Sequence, residues 1–350
     1  MTGRSNGRGA PAGHVRVAAL DCGTHSLRLL VADVDPVAGT LTDVERTMEI
    51  VRLGEGVDTT GRLSPEALER TLAVVARYAE RCGDLGARHV RFVATSATRD
   101  AENREDLVRG VRHLLGVAPE VISGQEEAAL SFDGATRDLA SRGERRPFLV
   151  VDLGGGSTEI VLGEDAPVAA CSMDLGCVRL TERHLTQDPP TPEQVRAAAA
   201  DADRELDVAA TAVPWDRART LVGLAGTVTT VTAVALDLPR YDPDAIHGAA
   251  VPPELTTRVC RDLLAMTRAR RAALPCMHPG RADVIGGGAL LWGRIVDRAV
   301  AAGVERVVAS ERDILDGLAW SLVRPRRGGG GPAARDATPR AAGERPRPTH

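Results

Sequence analysis

The stretch Phe148-Leu-Val-Val-Asp152-Leu-Gly-Gly-Gly-Ser157-Thr-Glu159 carries a short apolar run into a glycine turn that bears an aspartate, and Thr158 to Leu162 then resumes an apolar pattern. Apolar runs of this length bounded by glycine read as buried strands, so the segment is two strands joined by a polar turn. The first half of the chain repeats the arrangement: Val15 to Leu20 runs into Asp21-Cys-Gly-Thr-His-Ser26, and Leu27 to Val34 follows as a second strand. Both places spell Asp-x-Gly-x-x-Ser between strands. An internal repeat of this kind implies two related domains facing one another.

Outward from these turns, β-type runs alternate with amphipathic helical patterns, which predicts an α/β fold with largely parallel strands. The spacing predicts a helix from Pro65, capped by Ser64, to Gly83, with Leu68, Leu72, Val75 and Ala79 on its apolar face. A strand His89 to Ala94, a loop Thr95-Ser-Ala-Thr-Arg99, a charged helix to Leu115 and a strand Glu120 to Ser123 follow. The second half reads as helix Pro192 to Ala210, strand Thr220 to Leu224, turn Ala225-Gly-Thr227, and helices Val228 to Leu238 and Gly287 to Ala302. A last strand, Arg306 to Ala309, precedes a final helix, Asp313 to Leu322.

Length and composition narrow the function. A chain of 350 residues is long enough for two domains. Only 2% of residues are aromatic, which leaves few platforms for stacking bases, and a net charge of −4 argues against a general nucleic-acid binder. All 44 basic residues are Arg, so no P-loop lysine, kinase strand lysine or Schiff-base lysine exists. Phosphate chemistry here must use Arg, metal and backbone. The six cysteines lie far apart, without a Cys-x-x-Cys pair or a signal peptide, which predicts reduced thiols and a cytoplasmic location. No apolar run reaches the length of a membrane span, so no membrane partner is expected.

The candidate site residues follow from the chemistry each turn permits. Gly154, Gly155 and Gly156 let backbone N–H groups converge on a phosphate, and Ser157 and Thr158 add hydroxyl donors. Gly23, Thr24, His25 and Ser26 occupy the matching turn. Asp21 and Asp152 stand at the carboxyl ends of strands, where hard carboxylates suit Mg²⁺ or Mn²⁺, with Glu159 as a third acidic group. Alone, each would be an ordinary turn carboxylate; in equivalent turns they suggest a metal site. Glu126 and Glu127 open a helix, where the dipole favours acids, and either could be a general base. Arg99 can bind phosphate bidentately or form an ion pair, and Gly226-Thr227 makes a further glycine loop. No His-Glu-x-x-His or Cys/His spacing suggests zinc.

Taken together these residues resemble the exopolyphosphatase/pppGpp phosphohydrolase family of the actin, Hsp70 and sugar-kinase superfamily. The likeness spans residues 15 to 324 and rests on Asp21 to Arg28, Arg52-Leu-Gly-Glu-Gly56, Ala94 to Arg99, Ser123-Gly-Gln-Glu-Glu-Ala128, Val151 to Glu159, Gly226-Thr227 and Arg281 to Ala289. The resemblance implies two actin-like (ribonuclease H-like) domains with an interdomain cleft. The expected division is 14–140 and 141–305, with 306–324 packing back on the first domain and disordered tails at 1–13 and 325–350. It selects Glu127 over Glu126 as the base that activates water, and gives Asp152, Gly154 to Thr158 and Glu159 metal and phosphate contacts. The implied substrates are inorganic polyphosphate or pppGpp, the expected ion is Mg²⁺ or Mn²⁺, and a homodimer is possible within the family.

Two features depart from the family's pattern. His25 stands where Asn is more common, and the chain matches the short form without a helical C-terminal extension, so long-chain processivity is not implied. A sugar or acid kinase of the same superfamily would share both turns, but would use an aspartate to deprotonate a hydroxyl. A sensor of guanosine polyphosphates without turnover is the non-enzymatic alternative.

Overall fold

The computed structural model describes residues 10–323. The tail expected at 325–350 and residues 1–9 of the tail expected at 1–13 lie outside them, while residues 10–13 lead into the first strand.

Among the described residues, ten strands form two sheets. β1 (Val15–Cys22), β2 (Ser26–Asp35), β3 (Thr40–Ile50), β4 (His89–Ala94) and β5 (Glu120–Val121) make the first, in the order β3-β2-β1-β4-β5. β6 (Phe148–Leu153), β7 (Thr158–Gly163), β8 (Pro167–Met173), β9 (Thr220–Leu224) and β10 (Arg306–Ala309) make the second, in the order β10-β9-β6-β7-β8. Read from β8, the second order matches the first strand for strand. In each sheet the first three strands are antiparallel and the other two join in parallel. The repeated turn therefore marks a repeated fold, two actin-like halves.

Each sheet is covered on both faces. Leu20, Leu29 and Phe92 of the first sheet pack with Val75, Tyr78 and Leu107 from the helices Pro65–Asp84 and Arg104–Leu115. The Pro65–Asp84 helix starts where Ser64 accepts a hydrogen bond from the Ala67 N–H at 3.1 Å, with Pro65 at its first position. On the other face, Val17, Leu30 and Val93 pack under Leu315, Leu318 and Trp320 of the helix Ile314–Val323. In the second sheet, Phe148, Val150 and Val161 meet Ala128, Phe132 and Leu139 of the helix Gly124–Ser141.

Two expectations about boundaries need correction. The segment 306–324 does not return whole to the first domain, because β10 pairs in parallel with β9 in the second sheet and only Ile314–Val323 crosses back. The helix bearing Glu127, expected to belong with residues 14–140, packs its apolar face on the second sheet. The two helices between the sheets touch backbone to backbone: a β-carbon on Gly134 would lie 1.8 Å from the Asp313 carbonyl oxygen, and one on Gly317 would lie 2.1 Å from that of Leu130. That contact fixes the second lobe against the first.

Candidate active site

The two Asp-x-Gly-x-x-Ser turns close identically. The Gly23 N–H donates to the Ser26 carbonyl at 3.0 Å, and the Gly154 N–H donates to the Ser157 carbonyl at 3.1 Å. They also meet. The Thr24 and Ser96 hydroxyls, bonded to each other at 2.7 Å, fill the place a Gly156 β-carbon would take. A β-carbon on Gly155 would stand 3.1 Å from that of Thr24 and 3.3 Å from that of His25. Only glycine permits this approach. The N–H groups of Thr24, His25 and Gly155 donate to no carbonyl among the described residues, so they remain available to a ligand.

Between the turns lies a crevice of about 90 Å³. Gly23, Thr24, His25 and Ser26 line it from the first lobe, and Gly154, Gly155 and Ser157 from the second. Gly226 and Thr227 reach it from the first turn of the helix Ala225–Ala235, whose N-terminal N–H groups favour an anion. The expected turn at 225–227 is thus a helix start. Ala225 enters it at φ +67°, a left-handed conformation that a residue with a β-carbon rarely adopts.

Asp21 and Asp152 hold equivalent places beside the ends of β1 and β6, and both line the crevice. Their cross-strand partners differ. Asp21 pairs with Arg28, whose Nη2 is 2.5 Å from Asp21 Oδ2, whereas Asp152 pairs in register with Glu159. Arg28 also bonds Asp313. The Ser131 hydroxyl donates to Asp152 Oδ2 at 2.6 Å, and the Ser172 hydroxyl donates to Glu159 Oε1 at 2.8 Å. Burial raises the Asp21 carboxyl above its usual range against the pull of Arg28. Burial likewise pushes Asp152 up to about 6, again opposed by Arg28. Glu159 is held well above the ordinary range by burial and by the nearby Glu127 and Asp152.

Glu127 points into the crevice from the first turn of the helix Gly124–Ser141. Its Oε2 accepts from Arg99 Nη1 at 2.7 Å. Burial raises its carboxyl to about 7; Arg99 works against this, and Asp21 and Asp152 add to it. Glu126 lies on the exposed face and pairs with Arg91, so the geometry brings only one of the two glutamates to the turns.

Four expected contacts lie outside the crevice lining: Arg99, Gly156, Thr158 and Glu159. Arg99 spends one nitrogen on Glu127 and the Ile122 carbonyl, and it sits in a short helix, Ser96–Asp100, instead of the expected loop. Thr158 turns its hydroxyl to the Leu175 carbonyl at 2.6 Å, Glu159 is buried behind Asp152, and Gly156 is covered by Thr24 and Ser96. His25 directs its ring to the Gly280 carbonyl instead of the open space.

Sequence reading passed over two crevice arginines. Arg28 follows Asp21 by the same interval as Glu159 follows Asp152, so aligning the repeat would have singled it out. Arg281 comes from a distant loop, and its guanidinium lies where a Gly226 β-carbon would be only 1.9 Å from Cζ.

The residues fit a divalent cation. Asp21 Oδ1 is buried without a hydrogen-bond partner, beside further carboxyls whose neutral forms are favoured by burial and mutual repulsion. Among the described residues no three His, Cys, Asp or Glu side chains form a ready-made cage. Asp21 and Asp152 are the carboxylates that would hold an ion of the Mg²⁺ type, which needs only one or two protein carboxylates.

Paired glycine turns closing on a carboxylate-lined crevice between two actin-like lobes define a phosphate-handling protein of the actin-like class. The chain belongs to the Ppx/GppA phosphatase family, whose model matches residues 30–298. It is 52% identical over 315 residues to exopolyphosphatase 2 of Mycobacterium tuberculosis, covering 88% of this chain and 98% of that one. The crystal structure of an exopolyphosphatase-like protein superposes with a TM-score of 0.84 at 45% identity, over 88% of this chain and 98% of the other. The Aquifex aeolicus member of the Ppx/GppA family superposes with a TM-score of 0.73 at 29% identity, over 89% and 98% of the two chains. No helix among the described residues is long and apolar enough to cross a membrane.

Proposed function

We propose that the protein is an exopolyphosphatase, releasing orthophosphate from the end of inorganic polyphosphate by attack of a water that Glu127 deprotonates. The observation that carries this reading is Glu127 itself: a buried carboxyl raised to about 7, facing the space between the two phosphate-type turns. A base is most effective when its pKa lies near the working pH. The relative named exopolyphosphatase 2 supports the substrate class. The terminal anhydride of pppGpp offers the same reacting group, and we extend the proposal to it as a second substrate. A crevice of about 90 Å³ takes a phosphoryl group and leaves a nucleoside outside, since pockets that enclose drug-sized ligands run to several hundred Å³.

The chain's own groups divide the work. The free N–H groups of Thr24, His25 and Gly155, the Ser26 and Ser157 hydroxyls, and the start of the Ala225–Ala235 helix bind and orient the terminal phosphate. Arg281 adds positive charge. Arg99 holds Glu127 Oε2 and so aims the other oxygen at the water. Asp21 and Asp152, with Glu159 behind them, would hold Mg²⁺ or Mn²⁺, which when bound draws charge from the phosphate oxygens.

A nucleotide-dependent kinase fits less well. The glycine run that opens the helix Ile285–Ala301, a natural place for a nucleotide to approach bare backbone, is filled by neighbouring side chains. β-Carbons there would lie 2.6 Å from Arg271 Nη1 at Gly286, and 2.4 Å from the Thr181 and Thr227 hydroxyls at Gly287 and Gly288. The test is phosphate release from polyphosphate and from pppGpp with Mg²⁺. Glu127→Gln should lower the rate about 10²- to 10⁴-fold while binding persists. Near-normal release by a folded variant removes Glu127 from the reaction.

A further inference from the structure

The segment 279–283 of the second lobe, which opens with a 3-10 turn at Pro279–Arg281, reaches the crevice through Arg281 and is fastened to the first lobe at three points. His25 Nε2 meets the Gly280 carbonyl at 2.9 Å. Ile50 packs so closely on Gly280 that a β-carbon there would stand 2.8 Å from Ile50 Cγ1. Arg52, itself at φ +49°, forms an ion pair with Asp283 at 2.7 Å. Arg281 lies between these fastenings. Its guanidinium rests over Gly226 in the crevice and forms no ion pair among the described residues, although Glu311 is near enough to feel its charge. A guanidinium held in place but left unpaired among free N–H donors presents its fork to an oxyanion.

The His25 contact is directional. Burial holds the imidazole below its usual range, although the bond to Gly280 works against this, so the ring is neutral near pH 7 and carries one proton. A carbonyl only accepts, which places that proton on Nε2 and makes His25 the donor.

We propose that His25 is a positioning residue: by fixing the Gly280 carbonyl from the opposite lobe, it holds the Arg281 guanidinium against a phosphate group of the substrate. The ligand class rests on the phosphoanhydride reading above. The side chain at position 25 thus acts on phosphate through Arg281 and only when the two lobes are together. The three first-lobe residues form one patch: Ile50 ends β3, and the Val51 and Arg52 N–H groups that follow donate to the His25 carbonyl at 3.0 and 2.9 Å.

A double-mutant cycle read by calorimetry tests this, with inorganic triphosphate titrated in metal-chelating buffer, where turnover is suppressed, into wild type, His25→Ala, Arg281→Gln and the double variant. His25→Ala should weaken binding about tenfold when Arg281 is present and less than about twofold when it is replaced. His25→Gln, which keeps an N–H donor, should recover most of the affinity, and KM for polyphosphate should follow Kd while kcat stays within about threefold. Should His25→Ala fail to fold, His25→Asn, too short to span to Gly280, takes its place. Equal losses in both backgrounds, or no loss in a folded variant, overturn the proposal, as does a wild-type chain with no affinity for triphosphate. Because Kd is read without turnover, tight binding without phosphate release counts against the hydrolase reading and not against this one.

Discussion

Glu127, in its proposed role as base, illustrates the conflict that burial creates. Its folded pKa of about 7 lies above the ordinary 4.5, so the fold favours the neutral acid while the reaction requires the anion. The sign follows directly: the stability contributed by this carboxyl is full below about pH 4.5 and is lost as pH rises through about 7. Glu127→Gln cannot ionise and escapes that loss. In metal-free buffer at about pH 8 the variant should melt above wild type, with the difference shrinking toward about pH 5, as thermal unfolding will show. A variant that melts lower at both values would mean that the carboxylate is not held at a cost. Much of this site was legible at the residue level, because the glycines, the aspartates and the Glu126-Glu127 pair stand in short motifs, with the resemblance choosing Glu127 of the pair. Arg28 and Arg281 did not: an arginine's role depends on what the fold brings opposite its long side chain, and Arg281 owes its place to Gly226. His25 looked like a phosphate ligand for the same reason, since its partner is 255 residues away.

At the scale of elements, buried strands, capped helices and the parallel edge strands β5 and β10 were readable, whereas the antiparallel edge strands β3 and β8 were not. β3 lies at the edge of its sheet, with its first five residues mostly exposed and Asp43, Glu45, Arg46 and Glu49 along it, so it offers no apolar run. β8, at the corresponding edge of the second sheet, starts with exposed Pro167 and Val168 and hides for the same reason. The helix Ser96–Asp100 is too short to show a period. The least visible feature was the contact between the helices Gly124–Ser141 and Ile314–Val323, because glycines used for close approach look like any others. Gly134→Ala would drive a methyl group to within 1.8 Å of the Asp313 carbonyl oxygen. It should cost about 3 kcal/mol in urea unfolding and lower turnover as well, since the displaced helix carries Glu127 and Ser131. Unchanged stability would show that the helices can part without penalty.

For the whole molecule, the repeat seen as two short turns proves to be two sheets of the same strand order, and the crevice exists only where they face each other. Further ion pairs span the lobes, among them Arg183 with Asp58 at 2.7 Å and Arg179 with Asp100. Neither lobe alone contains a site: one brings the first turn, the other brings Asp152 and the glycine triad, and the helix packed between them brings Glu127. On the proposed reading, water and not a second hydroxyl substrate is the acceptor of the phosphoryl group. Mass analysis of phosphate released from polyphosphate in heavy-oxygen water, with Mg²⁺ present, tests this most directly. One solvent oxygen should appear in each orthophosphate released by wild type, and release should nearly vanish in Glu127→Gln. Unlabelled phosphate, or transfer of phosphate from ATP to an added alcohol with no release from polyphosphate, would contradict it.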